Sequence, residues 1–442
     1  MRSLYLLFTI ILFVPISTFA QEPLIYGEAV KMALQKNLDL KRERNNKIQS
    51  KAEFSQSKFD LIPDVNAFTQ GTRNNGNNFI PQLGRLVNET VYSAYSEINA
   101  EGIIFNGLRQ LNTIHRAKTL NEAQQELLNW TQQDVIYNVS LQYMQVLLDH
   151  QLLTIASENL EAQEKQLERI TGMVDAGAIP IVDQYNQEAE VGRVKLEVVR
   201  REAQLETDKA VLAQLIMLDP TKDFSVEDPG FEINLDLYGT RDLSNLYDEA
   251  LTNRSDLKNL ELRSEAAEYD VAIAKGSLVP SIVGGYTFSS YYTDASDSPF
   301  EQQVETENLS KLIYISLRVP LFNGLRARTD VARARVNQEN THILYEQQAR
   351  KVYTDLQQAY LDYSQALASY ELGQKQVAAT QLAFDAQSER YKLGSATYVE
   401  FTEANRALAE AKANMAQAEI TLRFQKTVLD YQTGNLSIHT ID

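Results

Sequence analysis

Phe105-Asn106-Gly107-Leu108-Arg109 recurs without change as Phe322-Asn323-Gly324-Leu325-Arg326, 217 residues later. The same offset superposes Ala33-Leu34 on Ala250-Leu251, Asp39-Leu40 on Asp256-Leu257 and Pro63 on Pro280. It also superposes Tyr143 on Tyr360, Gly177 on Gly394 and Val182 on Val399. One offset held over so long a span means two copies of one structural unit with few insertions between them, and a repeat constrains the architecture before any local pattern does. A period this long is a duplicated half, not a solenoid.

Residues 1–20 read as a secretory signal, with Arg2 as the charged start, Leu4 to Ile16 as the apolar core and Thr18-Phe19-Ala20 as the cleavage site. No later segment has the apolar run that a transmembrane helix needs. The chain contains no cysteine, which removes disulfides, thiol catalysis, thiolate metal sites and a lipid-bearing Cys at the mature N-terminus. The net charge of −17 becomes −18 when Arg2 leaves with the signal, and so acidic a chain is a poor partner for nucleic acid. His115, His150, His342 and His439 do not cluster, and no phosphate-binding Gly loop, nucleophile elbow or zinc signature is present. Neither an enzyme nor a bound cofactor or metal is expected.

From Leu108 to Thr171 the chain has neither Gly nor Pro, and apolar residues recur at spacings of three and four: Leu108, Leu111, Ile114, Leu120, Leu127, Val135, Val139. This predicts a helix far longer than globular domains use, hence a coiled coil or helical barrel. The second copy starts at Leu325 and runs to Leu393. Each long helix meets a Gly-containing turn (172–181 and 394–397) and returns as a shorter helix, giving hairpins over about 106–218 and 323–433. A further helix is expected before each strand pair, over about 27–59 and 244–278.

Residues 63–72 and 91–105, and again 280–292 and 312–322, read as strands. In the last, Ile313, Ile315, Leu317, Val319 and Leu321 alternate with Tyr314, Ser316 and Arg318, the period of two that gives one apolar and one polar face. Polar loops, Arg73 to Thr90 and Thr293 to Asn308, join the strands of each copy. At about ten residues each strand is long enough to cross a bilayer at a tilt, and Tyr92, Tyr95, Tyr286, Phe288, Tyr291 and Tyr292 suit an aromatic belt. Phe231, Ile233, Leu235 and Leu237 alternate within 219–243, which reads as a short strand of a small mixed α/β domain outside the repeat, with Leu436-Ser437-Ile438-His439 of the tail (436–442) as its pairing partner. The domains are thus 1–20, a first repeat over 21–218, the linker 219–243, a second repeat over 244–435 and the tail.

Four membrane strands cannot close a barrel, and unpaired backbone is not tolerated in hydrocarbon. The missing strands must come from other copies. Two protomers would give an eight-stranded barrel filled by side chains, whereas three would give twelve strands and room for a pore. Each copy supplies two helical rods, so a trimer supplies twelve. The expected fold is mainly α with membrane β: a 12-stranded β-barrel on a 12-rod α-helical barrel.

Over nearly its whole mature length the chain resembles the TolC-type outer-membrane efflux and secretion channels. The resemblance rests on Glu28-Ala29, Ala33-Leu34, Asn37-Leu38-Asp39-Leu40, a Pro opening each first strand, Val319-Pro320-Leu321-Phe322-Asn323-Gly324, and Tyr391, Gly394, Val399, Glu400, Glu403 and Ala404 around the second turn. It implies a homotrimer in outer-membrane lipid, its helical part in the periplasm. Docked through a periplasmic adaptor (membrane fusion protein) onto an inner-membrane pump of RND or ABC type, it would be the exit duct for efflux or type I secretion. It also implies a periplasmic gate at Asp183, Tyr391, Glu400 and Glu403. An alternative role for Glu400 and Glu403 is to offset the dipole of the helix whose first turn they occupy. Where some members carry an Arg two residues after the Gly, this chain has Ala396, so a bridge from there to Asp183 is absent. The turn residues Val174, Gly177, Ala178, Gly394 and Ser395 are candidates for the adaptor contact, and Arg318 for a lumenal charge. The competing reading is a non-conducting coiled-coil stalk, for which the alternating strands have no use.

Overall fold

The computed structural model describes residues 23–80, 84–219, 222–238 and 242–437; the secretory-signal reading of 1–20 lies outside them. Two short helices, α1 (Tyr26–Lys36) and α2 (Leu38–Phe59), lead into strands β1 (Asp64–Ile80) and β2 (Arg85–Phe105) and the first rods, α3 (Arg109–Asp175) and α4 (Ile181–Ile216). The second copy follows as α5 (Leu243–Asn253), α6 (Ser255–Gly276), β3 (Ser281–Thr293), α7 (Phe300–Gln302) running into a π turn over Gln303–Glu307, β4 (Ser310–Arg318), α8 (Arg326–Lys392) and α9 (Tyr398–Gln432).

The duplication is kept residue by residue. Helices α5, α6 and α8 begin and end 217 positions after α1, α2 and α3. Left-handed backbone falls on equivalent residues too: Gly107 and Gly324, Leu108 and Leu325, Gly177 and Gly394, Met217 and Gly434. A leucine at positive φ costs roughly 1–2 kcal/mol. It sits at each joint between strand and rod, in the reversal that starts the long helix; at the first joint Asn106 Oδ1 accepts from Gln110 N at 3.2 Å, and at the second the Asn323 carbonyl accepts from Arg326 N at 3.3 Å. Each long rod has 67 residues, about 100 Å at the helical rise. Among the described residues no helix is long and apolar enough to cross a membrane.

The single helices expected over 27–59 and 244–278 are each broken, at Asn37 and Arg254, again one offset apart. Asn37 is extended and its side chain caps Leu40 N at 3.0 Å. Arg254 is extended and buried: its guanidinium donates to both Asp256 oxygens and to Gln432, and lies 4.8 Å from the Trp130 ring.

The four strands form one antiparallel sheet in the order β1-β2-β3-β4, with β1 and β4 as free edges. Strand alternation sorts its faces. Val65, Ile98, Tyr286, Ile313, Ile315 and Leu317 lie on one, and the last three are 78%, 74% and 64% exposed in the protomer. Asn66, Glu97, Glu101, Thr287, Tyr314 and Arg318 lie on the other. There Tyr314 crosses Gly285, where a Cβ would meet its ring at 2.4 Å, and donates to Glu101 at 2.6 Å.

Three expectations about this region are corrected. The Asn-rich stretch 73–90 is mostly strand: β1 and β2 pair out to Ile80 and Arg85, and Asn78 Nδ2 donates to the carbonyls of Gly76 and Glu89, which sustains the ladder. The second connection, 294–309, is a short helix and π turn anchored by buried Gln303 on Thr293. β4 stops at Arg318 rather than Phe322, one residue before the Val319-Pro320 pair, since proline cannot donate to a ladder.

The helical part holds two main cores. Tyr26, Val30, Val139, Tyr143, Leu212 and Ile216 build the first; Leu246, Leu257, Val352, Leu356, Tyr363 and Leu422 build the second. Among its described residues the linker carries no strand, only an isolated bridge from Val226 to Leu24. Its alternating apolar residues divide between the cores: Phe231 packs on the first, Ile233 and Leu237 on the second, and Leu235 is exposed. Leu436 of the tail packs into the first core; residues 438–442 lie outside the described part.

Candidate functional site

At the end of the rods far from the sheet, the two hairpin turns share one construction. Gly177 N donates to Val174 O and Ala178 N to Met173 O; 217 residues on, Gly394 N donates to Tyr391 O and Ser395 N to Arg390 O. These are Schellman caps, and each needs a left-handed residue at the Gly position. Gly177, Ala178, Gly394 and Ser395 are exposed. Val174 is half-buried instead, because it packs toward the partner hairpin.

A small apolar cluster joins the hairpins just behind the turns. Ile170 of α3, with Tyr391 and Phe401 of the second hairpin, forms its buried centre, flanked by Val174, Ile179, Phe384, Ala396 and Tyr398. Tyr391 stacks on Phe401 at 5.3 Å between ring centres. Its hydroxyl is buried without a donor or acceptor in good geometry, yet close to the Asp183 carboxylate. Burial first, and that neighbouring charge second, push the Tyr391 phenol up to about 12. Two of the gate candidates, Asp183 and Tyr391, are therefore brought together across the hairpins.

Glu400 and Glu403 behave differently from each other. Glu400 is the repeat counterpart of Asp183, but its carboxylate turns back on its own helix: it accepts from Thr397 N at 2.7 Å and Thr397 Oγ1 at 2.9 Å, while Thr397 Oγ1 accepts from Glu400 N. This is a capping box, and hydrogen bonds from Thr397 hold the Glu400 carboxyl below its ordinary range. Glu403 is exposed, one turn along α9. Arg318 sits apart from all of these, at the last residue of β4 opposite Ser281.

Above the apolar cluster lies a polar tie that sequence reading missed. Gln187, fully buried on α4, donates to Gln163 Oε1 at 2.9 Å and accepts from the Tyr398 hydroxyl at 3.1 Å. One turn further, Glu190 accepts from Arg193 of its own helix at 2.7 Å and from Arg406 of α9 at 2.6 Å. Arg193 first, then Arg406, hold the Glu190 carboxyl down at about 2 despite its burial. Asn405 Nδ2 reaches Asn159 Oδ1 at 3.1 Å. The bridge that Ala396 cannot make is thus replaced three turns away by another pair. The visible signal was Gln187 and Glu190, two polar residues spaced by three on an otherwise apolar helix face. Among the described residues no group of three or more acidic, His or Cys side chains is arranged to hold a metal ion.

The model of the outer membrane efflux protein family matches residues 29–216 and 246–429, one block per copy. The outer membrane efflux protein BepC of Brucella suis biovar 1 (strain 1330) is 22% identical over 77% of this chain and 72% of its own length. The outer membrane protein TolC of Escherichia coli (strain K12) is 22% identical over 81% and 75%. Among solved structures, CusC superposes with a TM-score of 0.82 at 17% identity, covering 93% of this chain and 92% of its own. VceC of Vibrio cholerae also gives 0.82, at 15% identity, over 92% and 96%. These likenesses extend through both sheet and rods.

Proposed function

Since the chain belongs to the outer membrane efflux protein family, we propose that it assembles as a trimer into a passive outer-membrane exit duct of a Gram-negative bacterium. The observation that carries this is a four-stranded sheet with two free edges and one exposed apolar face, mounted on rods of about 100 Å. Edges of this kind have to be paired inside hydrocarbon, and β4 of one copy closing on β1 of the next does so around a ring. The polar sheet face, with Glu97, Glu101 and Arg318, then lines the lumen. The rods continue the duct through the periplasm.

The exposed turns at Gly177-Ala178 and Gly394-Ser395 are the surface a periplasmic adaptor meets first, and the adaptor links the duct to an energised inner-membrane pump. The cluster around Tyr391 and the Glu190–Arg406 bridge hold the hairpins together behind those turns, with Asp183 and Glu403 as acidic groups for the constriction. Glu400 contributes its charge from within a helix cap. A stalk without a pore gives no role to the apolar sheet face.

Single-channel recording in a planar bilayer, with divalent cations titrated on one side, tests the reading. The expectation is small cation-selective steps that divalents block. A folded, inserted trimer with no conductance even after Arg406→Ala and Tyr391→Ala substitution would overturn it.

A further inference from the structure

The first hairpin buries an acid for which the duct reading has no use. Asp149, on α3, is 3% exposed. One of its carboxyl oxygens accepts from Gln145 Nε2 at 3.2 Å, and the other is buried with no conventional donor. What lies against it is the carboxyl of Asp208 on α4. Asp208 is itself held by two amides, Gln142 Nε2 at 3.1 Å and Gln204 Nε2 at 2.6 Å. With the Asp149 carboxylate out of water, a second ionised carboxylate beside it is unfavourable even though Asp208 itself reaches solvent, whereas one proton between them satisfies both and turns the orphan oxygen into a donor.

The surroundings offset that proton only weakly. Arg201, the neighbouring cation on α4, is engaged by Glu197 at 2.9 Å. From α9 the facing stretch is Ala416, Ile420 and Phe424, packed on Leu147 and Leu148, and the linker brings Val226 and Phe231. Of the linker's acids, Asp228 is paired with Arg423. The repeat offers a built-in contrast: the residues equivalent to Asp149 and Asp208 are Ala366 and Gln425, so the second hairpin lacks the pair.

We propose that Asp149 and Asp208 form a proton site in which one shared proton clamps α3 to α4 midway along the first hairpin, and that losing it loosens that hairpin alone. Burial and the adjoining Asp208 push the Asp149 carboxyl up to about 7, while Asp208 is lowered. A carboxyl raised in the packed state binds more protons there than in the opened state. The clamp is therefore strongest at acid pH, weakens as pH rises through the range up to about 7, and is fully spent above it. With the ordinary value of 3.8 restored on opening, the local opening equilibrium gains about tenfold between pH 6 and pH 8. This inference does not depend on the pore.

Hydrogen exchange read by mass spectrometry on the full-length chain in detergent tests it, using peptides over 142–150 and 201–209. The peptides over 359–367 and 418–426 of the second hairpin serve as internal control. Beyond the intrinsic chemical increase, exchange in the first pair should rise about tenfold from pH 6 to pH 8, and the control should not. Asp149→Asn and Asp208→Asn should each remove the extra response, and the infrared band of a protonated carboxyl at pH 6 should vanish in Asp149→Asn. An equal pH response in both hairpins, or one that survives both substitutions, overturns the proposal. So does a response set by EDTA rather than pH, which would make the occupant a metal ion.

Discussion

Arg406 of α9 reaches Glu190 of α4 with Nη2 2.6 Å from one carboxylate oxygen, and so fastens the second hairpin to the first. Glu190 is buried, Arg406 is half-exposed, and Arg193 holds the same carboxylate from within α4. The bridge is thus a partly solvated contact whose acid keeps a partner if Arg406 is lost.

Arg406→Ala should destabilise the inter-hairpin contact by about 1 kcal/mol, the scale of a half-exposed ion pair. Because the Glu190 carboxyl is held down at about 2, its contribution is complete above its ordinary value of 4.5 and is lost as pH falls from there toward 2. Urea unfolding of wild type and Arg406→Ala should differ at pH 7 and converge near pH 2. A difference that persists undiminished at the acid end would assign it to packing rather than charge.

Glu400 and Glu403 separate cleanly by substitution. Glu400→Gln keeps a capping-box side chain and removes the charge, whereas Glu400→Ala removes both and should lower Tm by more than Glu400→Gln does. Glu403→Gln changes an exposed side chain and should leave thermal stability unchanged while weakening divalent block of the channel. If Glu400→Gln leaves block untouched and Glu403→Gln abolishes it, Glu403 alone carries the constriction charge.

The two strand-to-rod glycines share a φ but not an environment. A Cβ on Gly107 would meet Gly276 O at 2.7 Å, while Gly324 has open space around it. Gly324→Ala should cost about 1 kcal/mol from the left-handed backbone alone, and Gly107→Ala distinctly more, seen as a larger drop in Tm and in trimer yield. Equal losses at both sites would mean that backbone conformation decides and the close approach does not.

Arg254 is the one guanidinium that is fully buried among the described residues. Arg254→Ala strands Asp256, with Gln348 Nε2 at 2.7 Å left as a side-chain donor, and should cost about 3–5 kcal/mol. Thermal unfolding of Arg254→Ala, beside the Arg254→Ala/Asp256→Ala double variant, measures how much of the loss is the uncompensated charge; the double variant should recover part of it.

Much of the fold was legible because duplication multiplies weak signals: a turn, a Pro or a Gly read once is ambiguous, but read twice at one offset it fixes an element. The long rods and their turns were visible in this way. The helix breaks at Asn37 and Arg254 were not, because neither residue is a strong breaker; their extended backbone is held by an Asn side chain in one copy and a buried guanidinium in the other. The outer part of the β1–β2 ladder was hidden by its Asn residues, which disfavour strands in isolation, although Asn78 here bonds the ladder itself. At the site, the family resemblance named Asp183 and Tyr391 together without indicating that they touch, and Glu190 with Arg406 needed the register between α4 and α9, which no single-chain pattern reveals.

The joints between sheet and rods differ in their support. Gly107 is wedged against Gly276, but Gly324 is clear of its neighbours. A displacement at the tips therefore meets a first joint braced from within its own chain, whereas any brace at the second joint has to come from a neighbouring copy.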